Sequence, residues 1–173
     1  KPCRVLVRGG PGNNGGDGVA VARLLHLNHV PVTIGLLGSR DHTSDQTKQQ
    51  LTIADHYGIP VVSEQPDLAN YTTIVDAIFG VGLSRDVTGK FAEVVDAINA
   101  APASVMAVDM PTGLGTDDGN VMGTVVDATE TVTMSYNKLG LATDNGRRFG
   151  GIVKVADIGI YDPETLNATL TLK

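Results

Sequence analysis

The sequence predicts a single-domain α/β protein, a three-layer αβα sandwich built on a mostly parallel sheet. Two observations carry that reading. Short β-branched runs alternate with helical apolar patterns along the chain, the order that produces right-handed crossovers and helices on both sheet faces. The loops that follow three of those runs are polar or glycine-rich, as expected where a parallel sheet binds ligands beyond its strand ends. At 173 residues, one substantial core is the natural size.

Taken in order, Val5-Leu6-Val7 reads as the first strand, and GGPGNNGGDG from Gly9 to Gly18 as a tight loop. From Asp17 the pattern turns helical, with Val21, Leu24, Leu25 and Asn28 forming a wide face expected to be deeply buried. Asn28 or His29 ends that helix, and Pro31 to Leu37 supplies a second strand that completes a βαβ unit. Ser44 caps a helix running to Tyr57, where Leu51, Ala54 and Tyr57 share a face and Gly58 takes the left-handed end position. A short strand follows at Pro60 to Val62. Thr73-Ile74-Val75 forms a strand ending at Asp76, and Phe91, Val94, Val95 and Ile98 mark the helix behind it. Ser104 to Val108 is a strand ending at Asp109, because Pro111-Thr112-Gly113 cannot continue one. Thr131 to Met134 and Ile152 to Val155 read as strands with no clear helix between them. Asp162-Pro163-Glu164 opens a short helix, and Leu170-Thr171-Leu172 alternates at the tail.

Composition excludes several function classes. The formal charge of −6 and a pI near 5.0 come with no cluster of Lys and Arg, so nucleic acid is not the expected partner. No apolar run is long enough to cross a bilayer. Cys3 is the only cysteine, which rules out an intrachain disulfide and fits a reducing compartment. The expected location is the cytoplasm, or the mitochondrion in a eukaryote. The tripeptides Asn70-Tyr71-Thr72 and Asn167-Ala168-Thr169 are read as unmodified. The sequence opens on Lys1 and enters an apolar run at Val5, from which we expect a segment to have been trimmed ahead of it.

Three loops converge where a ligand would sit. In the first, Gly10, Gly12 and Gly15 stand in GxGxxG register ahead of a helix, so backbone N–H groups and the helix dipole can hold phosphate oxygens. There is no Lys-Ser or Lys-Thr pair of a Walker loop. Asn13-Asn14-Gly15-Gly16-Asp17 is more polar than a plain dinucleotide turn needs, and it is read as a ligand contact in preference to a turn with Asp17 as cap. Asp76 and Asp109 each follow a strand, where a carboxylate is expected to point into the crevice. Asn14, Asp76 and Thr112 offer hard oxygens suited to an alkali or alkaline-earth cation and unsuited to zinc. A bridging hydrogen-bond network is the competing reading. Lys138 either aims its ammonium at a phosphate or is simply solvated. His26, His29, His42 and His56 are assigned to the surface, and Cys3 is given no catalytic role.

GPGNNGGDG (Gly10 to Gly18), VDAIFGVGL (Val75 to Leu83), AVDMPTGL (Ala107 to Leu114) and Lys138-Leu139-Gly140 together resemble the NAD(P)H-hydrate epimerase family, the YjeF amino-terminal domain. The resemblance runs in order from about Val5 to about Ile160, so the whole chain 1–173 is expected to be one such domain with a Rossmann-like fold. It implies an isomerase that interconverts the R and S forms of hydrated NADH and NADPH (NADHX and NADPHX) in nicotinamide nucleotide repair. A dehydratase specific for one form would be its functional partner, and the chain would form a homodimer. By the same resemblance, Asn13, Asn14, Gly15, Gly16 and Asp17 would contact the ligand. Gly80, Val81, Gly82, Leu83, Ser84, Arg85 and Asp86 would line the pocket, and Asp109 would meet the reacting ring. Asn14, Asp76 and Thr112 would bind a potassium ion. Thr112 stands where the family usually has Ser, and Gly115 where it commonly has Asp. The family's helical segment before the first strand is not in this sequence.

The hydrate carries a hydroxyl beside the ring nitrogen, whose lone pair assists its loss and leaves a planar cation. Asp109 is expected to donate a proton to the leaving hydroxyl and accept one from the returning water. Two other readings remain. One is an NADP-dependent oxidoreductase with Arg40 meeting a 2′-phosphate. The other is a non-catalytic nucleotide-binding or dimerisation scaffold, which would need none of Asn14, Asp76, Asp109 and Lys138.

Overall fold

The structure, a computed structural model, describes residues 2–160. The helix expected at Asp162 and the alternating tail at Leu170 lie outside the described residues. Seven strands form one sheet: β1 (Val5–Gly9), β2 (Val32–Leu36), β3 (Val61–Val62), β4 (Thr73–Ala77), β5 (Ser104–Val108), β6 (Glu130–Met134) and β7 (Ile152–Ala156). Their order is β3-β2-β1-β4-β5-β6-β7 and every pairing is parallel. The expected mostly parallel sheet is therefore wholly parallel. The order reverses between β1 and β4, which places the loops after those two strands on either side of the ligand crevice.

Helices cover both faces, giving a three-layer Rossmann-like sandwich. On one face, α1 (Asn13–Leu27) and α2 (Asp45–His56) contribute Val19, Ala22, Leu51 and Ala54 to a cluster with Val5, Val7 and Ile34. On the other, α3 (Gly89–Ala100) packs Val94, Val95 and Ile98 against Leu6, Ile74 and Ala107. Two short helices, α4 (Leu139–Ala142) and α5 (Asp144–Phe149), stand between β6 and β7, where the sequence showed no clear helix. Four and six residues are too few to display a 3.6-residue period. Among the described residues no helix is long and apolar enough to cross a membrane.

Two expectations need correction. The first helix begins at Asn13, not near Asp17, so half of the glycine-rich stretch is helix. Its buried side is formed by Gly15, Gly16, Gly18, Val19 and Ala22, whereas Leu24 on the predicted face is 54% exposed. Glycine explains both. The α1 backbone lies so near the sheet that a Cβ on Gly18 would stand 2.4 Å from the Ala77 Cβ. The helix is seated largely by its small residues and Val19, while Leu24 and Leu27 are turned outward.

Arg8 is a charged residue in the middle of the otherwise apolar β1 run. Its side chain shares the α3 face with Leu6, because alternate strand residues point the same way, and it is buried at 1% exposure. Gly35, its register neighbour on β2, makes the room: a Cβ there would lie 2.3 Å from the Arg8 Nη1. Nε and Nη1 have no partner among the described residues. Burial pushes the guanidinium pKa down to about 10.

Candidate active site

The glycine-rich turn is shaped by close backbone approach. Gly10 donates from its N–H to the Ala77 carbonyl at 3.0 Å, fastening the end of β1 to the end of β4. A Cβ on Gly15 would fall 1.9 Å from the Gly10 carbonyl oxygen, so only glycine lets α1 start this close to β1. From α2, the buried Thr47 hydroxyl donates to the Gly12 carbonyl at 2.9 Å, and the Ser44 N–H to that of Pro11 at 2.8 Å. The N-cap of α1 is Gly12, which has no side chain to satisfy the first-turn N–H groups, and that turn holds no acid. These are the conditions under which a helix start receives an anion.

Beside this turn lies a cavity of about 460 Å³ lined by Asn13, Asn14, Asp17, Gly80 to Leu83 and Asp109, among others. The turn after β1, the loop after β4 and the aspartate after β5 thus meet around one hollow. A second cavity, of about 550 Å³, takes Ser84, Arg85 and Asp86 and shares Phe79, Gly82 and Leu83 with the first. Ser84 to Asp86 therefore line an adjoining chamber. Gly15 and Gly16 line neither; both are buried behind the turn, Gly16 against Thr47.

Asp109 sits at φ +68°, and the Met110 N–H closes a γ-turn onto the Val108 carbonyl at 2.9 Å. The neighbouring strand ends the same way: Ser135 is at φ +61° and the Tyr136 N–H reaches the Met134 carbonyl at 2.7 Å. Non-glycine residues in this region are strained, and such strain concentrates at functional sites. Three donors converge on the Asp109 Oδ1: the Lys138 Nζ at 2.8 Å, the Thr133 hydroxyl at 3.0 Å and the Met134 N–H at 3.1 Å. Lys138 also donates to the Met134 carbonyl at 2.7 Å, and its side chain is only 17% exposed. Its ammonium is the ion-pair partner of Asp109 and is largely shielded from solvent.

Asp17, one helical turn into α1, is the other charged residue on the first cavity. Its carboxyl is held above the ordinary carboxylate range, first by partial desolvation in the cavity wall and then by repulsion from Asp109.

Asp76 departs from expectation. It lies within β4, fully buried, with its side chain on the α3 side of the sheet, and it is not among the residues that line the cavity. Its Oδ2 accepts from the Thr112 N–H at 2.8 Å, and its Oδ1 from the Thr112 hydroxyl at 2.7 Å and the Ile78 N–H at 3.2 Å. Burial nevertheless pushes its pKa up to about 6. The Thr112 hydroxyl oxygen accepts from the Phe79 N–H at 3.0 Å and lies 3.3 Å from the Phe79 carbonyl oxygen. Asn14 packs on the next residue, its Oδ1 standing 2.8 Å from where a Cβ of Gly80 would be. Its Nδ2 is buried without a partner. Carboxylate, hydroxyl, carbonyl and amide oxygens therefore gather around the Phe79-Gly80 peptide with a single formal negative charge. Turning the Asn14 amide would replace its orphaned donor with an acceptor. This donor set fits a hard monovalent cation.

Arg40 is committed elsewhere, forming a two-pronged pair with Asp55 at 2.7 and 2.9 Å. A 2′-phosphate would have to displace that partner.

The family described as the YjeF-related protein N-terminus matches residues 1–140. The chain belongs to that family. Its relatives include a protein of Oenococcus oeni, 66% identical over 160 residues, covering 92% of this chain and 76% of the relative. Another, from Levilactobacillus brevis, is 56% identical over 158 residues, covering 91% and 74%. Both are named NAD(P)H-hydrate epimerase. A yeast protein of known crystal structure superposes with a TM-score of 0.77 at 24% identity, covering 94% of this chain and 69% of that one, and this likeness concerns the fold. The segments 10–18, 75–83, 107–114 and 138–140 all lie within the stretch that the YjeF-related family matches.

Proposed function

We propose that this chain is an isomerase that interconverts the R and S forms of hydrated NADH and NADPH. The observation that carries this reading is the cavity in which Asp109, fixed by Lys138, Thr133 and Met134, meets the turn at the start of α1. The uncapped start of α1 receives a phosphate of the dinucleotide, and the hydrated ring lies against Asp109. The rest of the ligand continues past Gly82 and Leu83 toward Ser84, Arg85 and Asp86, because the two cavities share that loop. As the C–O bond breaks, the ring nitrogen lone pair forms a C=N bond and a proton from the protein lets oxygen leave as water. Water then adds to the other face, the lone pair returns to nitrogen, and a carboxylate takes the proton.

Asn14, Asp76 and Thr112 hold a potassium ion in this reading, supported by the oxygen set around Phe79-Gly80. The ion's contribution is positive charge that offsets the buried carboxylate and stiffens the 78–82 loop. A dehydratase acting on one epimer consumes the product.

The test is to add one purified epimer and follow the appearance of the other, with potassium and with choline in its place. Wild-type protein is expected to equilibrate the two far faster than buffer, and Asp109→Asn to lose about 100-fold or more in kcat. Wild-type protein that leaves the epimers at the buffer rate overturns the proposal.

A further inference from the structure

We infer that proton transfer is divided between two carboxylates, Asp17 on α1 and Asp109 at the end of β5, each serving one face of the reacting ring. The inference rests on the epimerase reading and assigns Asp17 a catalytic role. Epimerisation imposes a particular demand. Water leaves from one face of a planar cation and returns to the other, so a single acid would have to serve both sides of a ring held in a confined cavity.

Among the described residues the cavity supplies two candidates. Of its twelve lining residues only Asp17 and Asp109 carry charge; the others are Pro11, Gly12, Asn13 and Asn14 on one wall and 78–83 on another. The two aspartates come from separate elements, the second turn of α1 and the tip of β5, and stand near enough to repel each other. Their surroundings differ in the sense that sets a donor apart from an acceptor. Asp109 is ion-paired to Lys138 and accepts two further hydrogen bonds on the same oxygen. Asp17 gains no such partner from its neighbours on α1, and partial desolvation and the Asp109 charge favour its protonated form. Environments that drive paired carboxyls apart mark the acid and the base.

The step balances. Asp17 donates its proton to the hydroxyl oxygen as the C–O bond breaks, and water departs. A second water forms the new C–O bond on the opposite face, its proton passing to Asp109. The enzyme is left with Asp17 ionised and Asp109 protonated, the form that runs the reverse epimerisation by the same steps with roles exchanged. Asp17, which is exposed, takes a proton from solvent and Asp109 releases its own to water in the cavity, which resets the first form.

Three variants assayed on each purified epimer test this: Asp17→Asn, Asp109→Asn and the double change. Divided labour predicts that each single variant loses about 100-fold or more in kcat and that the double variant is little worse than the poorer single. A role for Asp17 in binding alone predicts a raised KM with kcat within about threefold of wild type, and multiplicative losses in the double variant. That result overturns the inference while leaving the epimerase reading intact. Wild-type inactivity on the hydrate would overturn both. Asp17→Ala supplies a second readout: formate is expected to restore part of its kcat, which no packing role would permit. A thermal midpoint within a few degrees of wild type is expected for Asp17→Asn, because this exposed side chain packs in no core cluster.

Discussion

The buried Asp76 makes a stability prediction with a definite sign. Its carboxyl is raised from an ordinary 3.8 to about 6 in the folded protein. Between those values the folded chain holds a proton that the unfolded chain has released, so stability falls as pH rises through the window. At about 1.4 kcal/mol per pH unit, the displacement corresponds to about 3 kcal/mol, fully lost once the pH exceeds about 6. Other groups titrate over the same range, so the measurement is a difference. Urea unfolding of wild type and Asp76→Asn is followed from about pH 4 to pH 7 in choline chloride. The stability of wild type relative to the variant is expected to decline by about 2 to 3 kcal/mol. In potassium chloride the decline should shrink, because a cation beside the carboxylate favours its ionised form. A difference that stays flat within about 0.5 kcal/mol in choline would refute the assignment of a strained buried charge. An equal potassium effect on both proteins would remove Asp76 from the cation site.

Four further outcomes follow from local contacts. Gly15→Ala places a Cβ 1.9 Å from a backbone oxygen and is expected to destabilise by more than about 3 kcal/mol. Gly12→Ala, whose Cβ would meet nothing within 4 Å, should stay within about 1 kcal/mol in the same thermal melts. Lys138→Met removes one partner of a pair whose side chains are 17% and 11% exposed; a loss of about 2 to 4 kcal/mol in urea unfolding is expected, with kcat reduced as Asp109 loses its anchor. Arg8→Met removes a buried guanidinium with two orphaned nitrogens and is expected to raise stability by about 1 to 3 kcal/mol in urea unfolding; a destabilised variant would show that this charge has a partner.

Much of the frame was legible in the chain. β5 ends at Val108, shortly ahead of Pro111, and α2 starts after Ser44, whose hydroxyl accepts from the Thr47 N–H. The positive φ of +69° at Gly58 confirms it as the helix stop. What was hidden depended on partners distant in sequence. The glycine run reads as loop because glycine is a poor helix former; only the sheet beneath α1 explains why small residues are required there. Arg8 reads as a polar interruption of a strand, and its accommodation by Gly35 exists only once β1 and β2 are paired. Asp76 differs from Asp109 by two steps in register: it pairs with Ala107 as the last but one residue of β4, still inside the sheet, whereas Asp109 lies past the end of β5. Composition cannot distinguish those two placements. The pairing of Lys138 with Asp109 was likewise invisible, since 29 positions separate them.

The γ-turn at Asp109 sets a trade-off that mutation and selection would both encounter. A glycine there would relax the backbone but would also leave the Lys138 ammonium shielded from water without its carboxylate. Relief of strain and loss of an ion pair therefore oppose each other at a single residue.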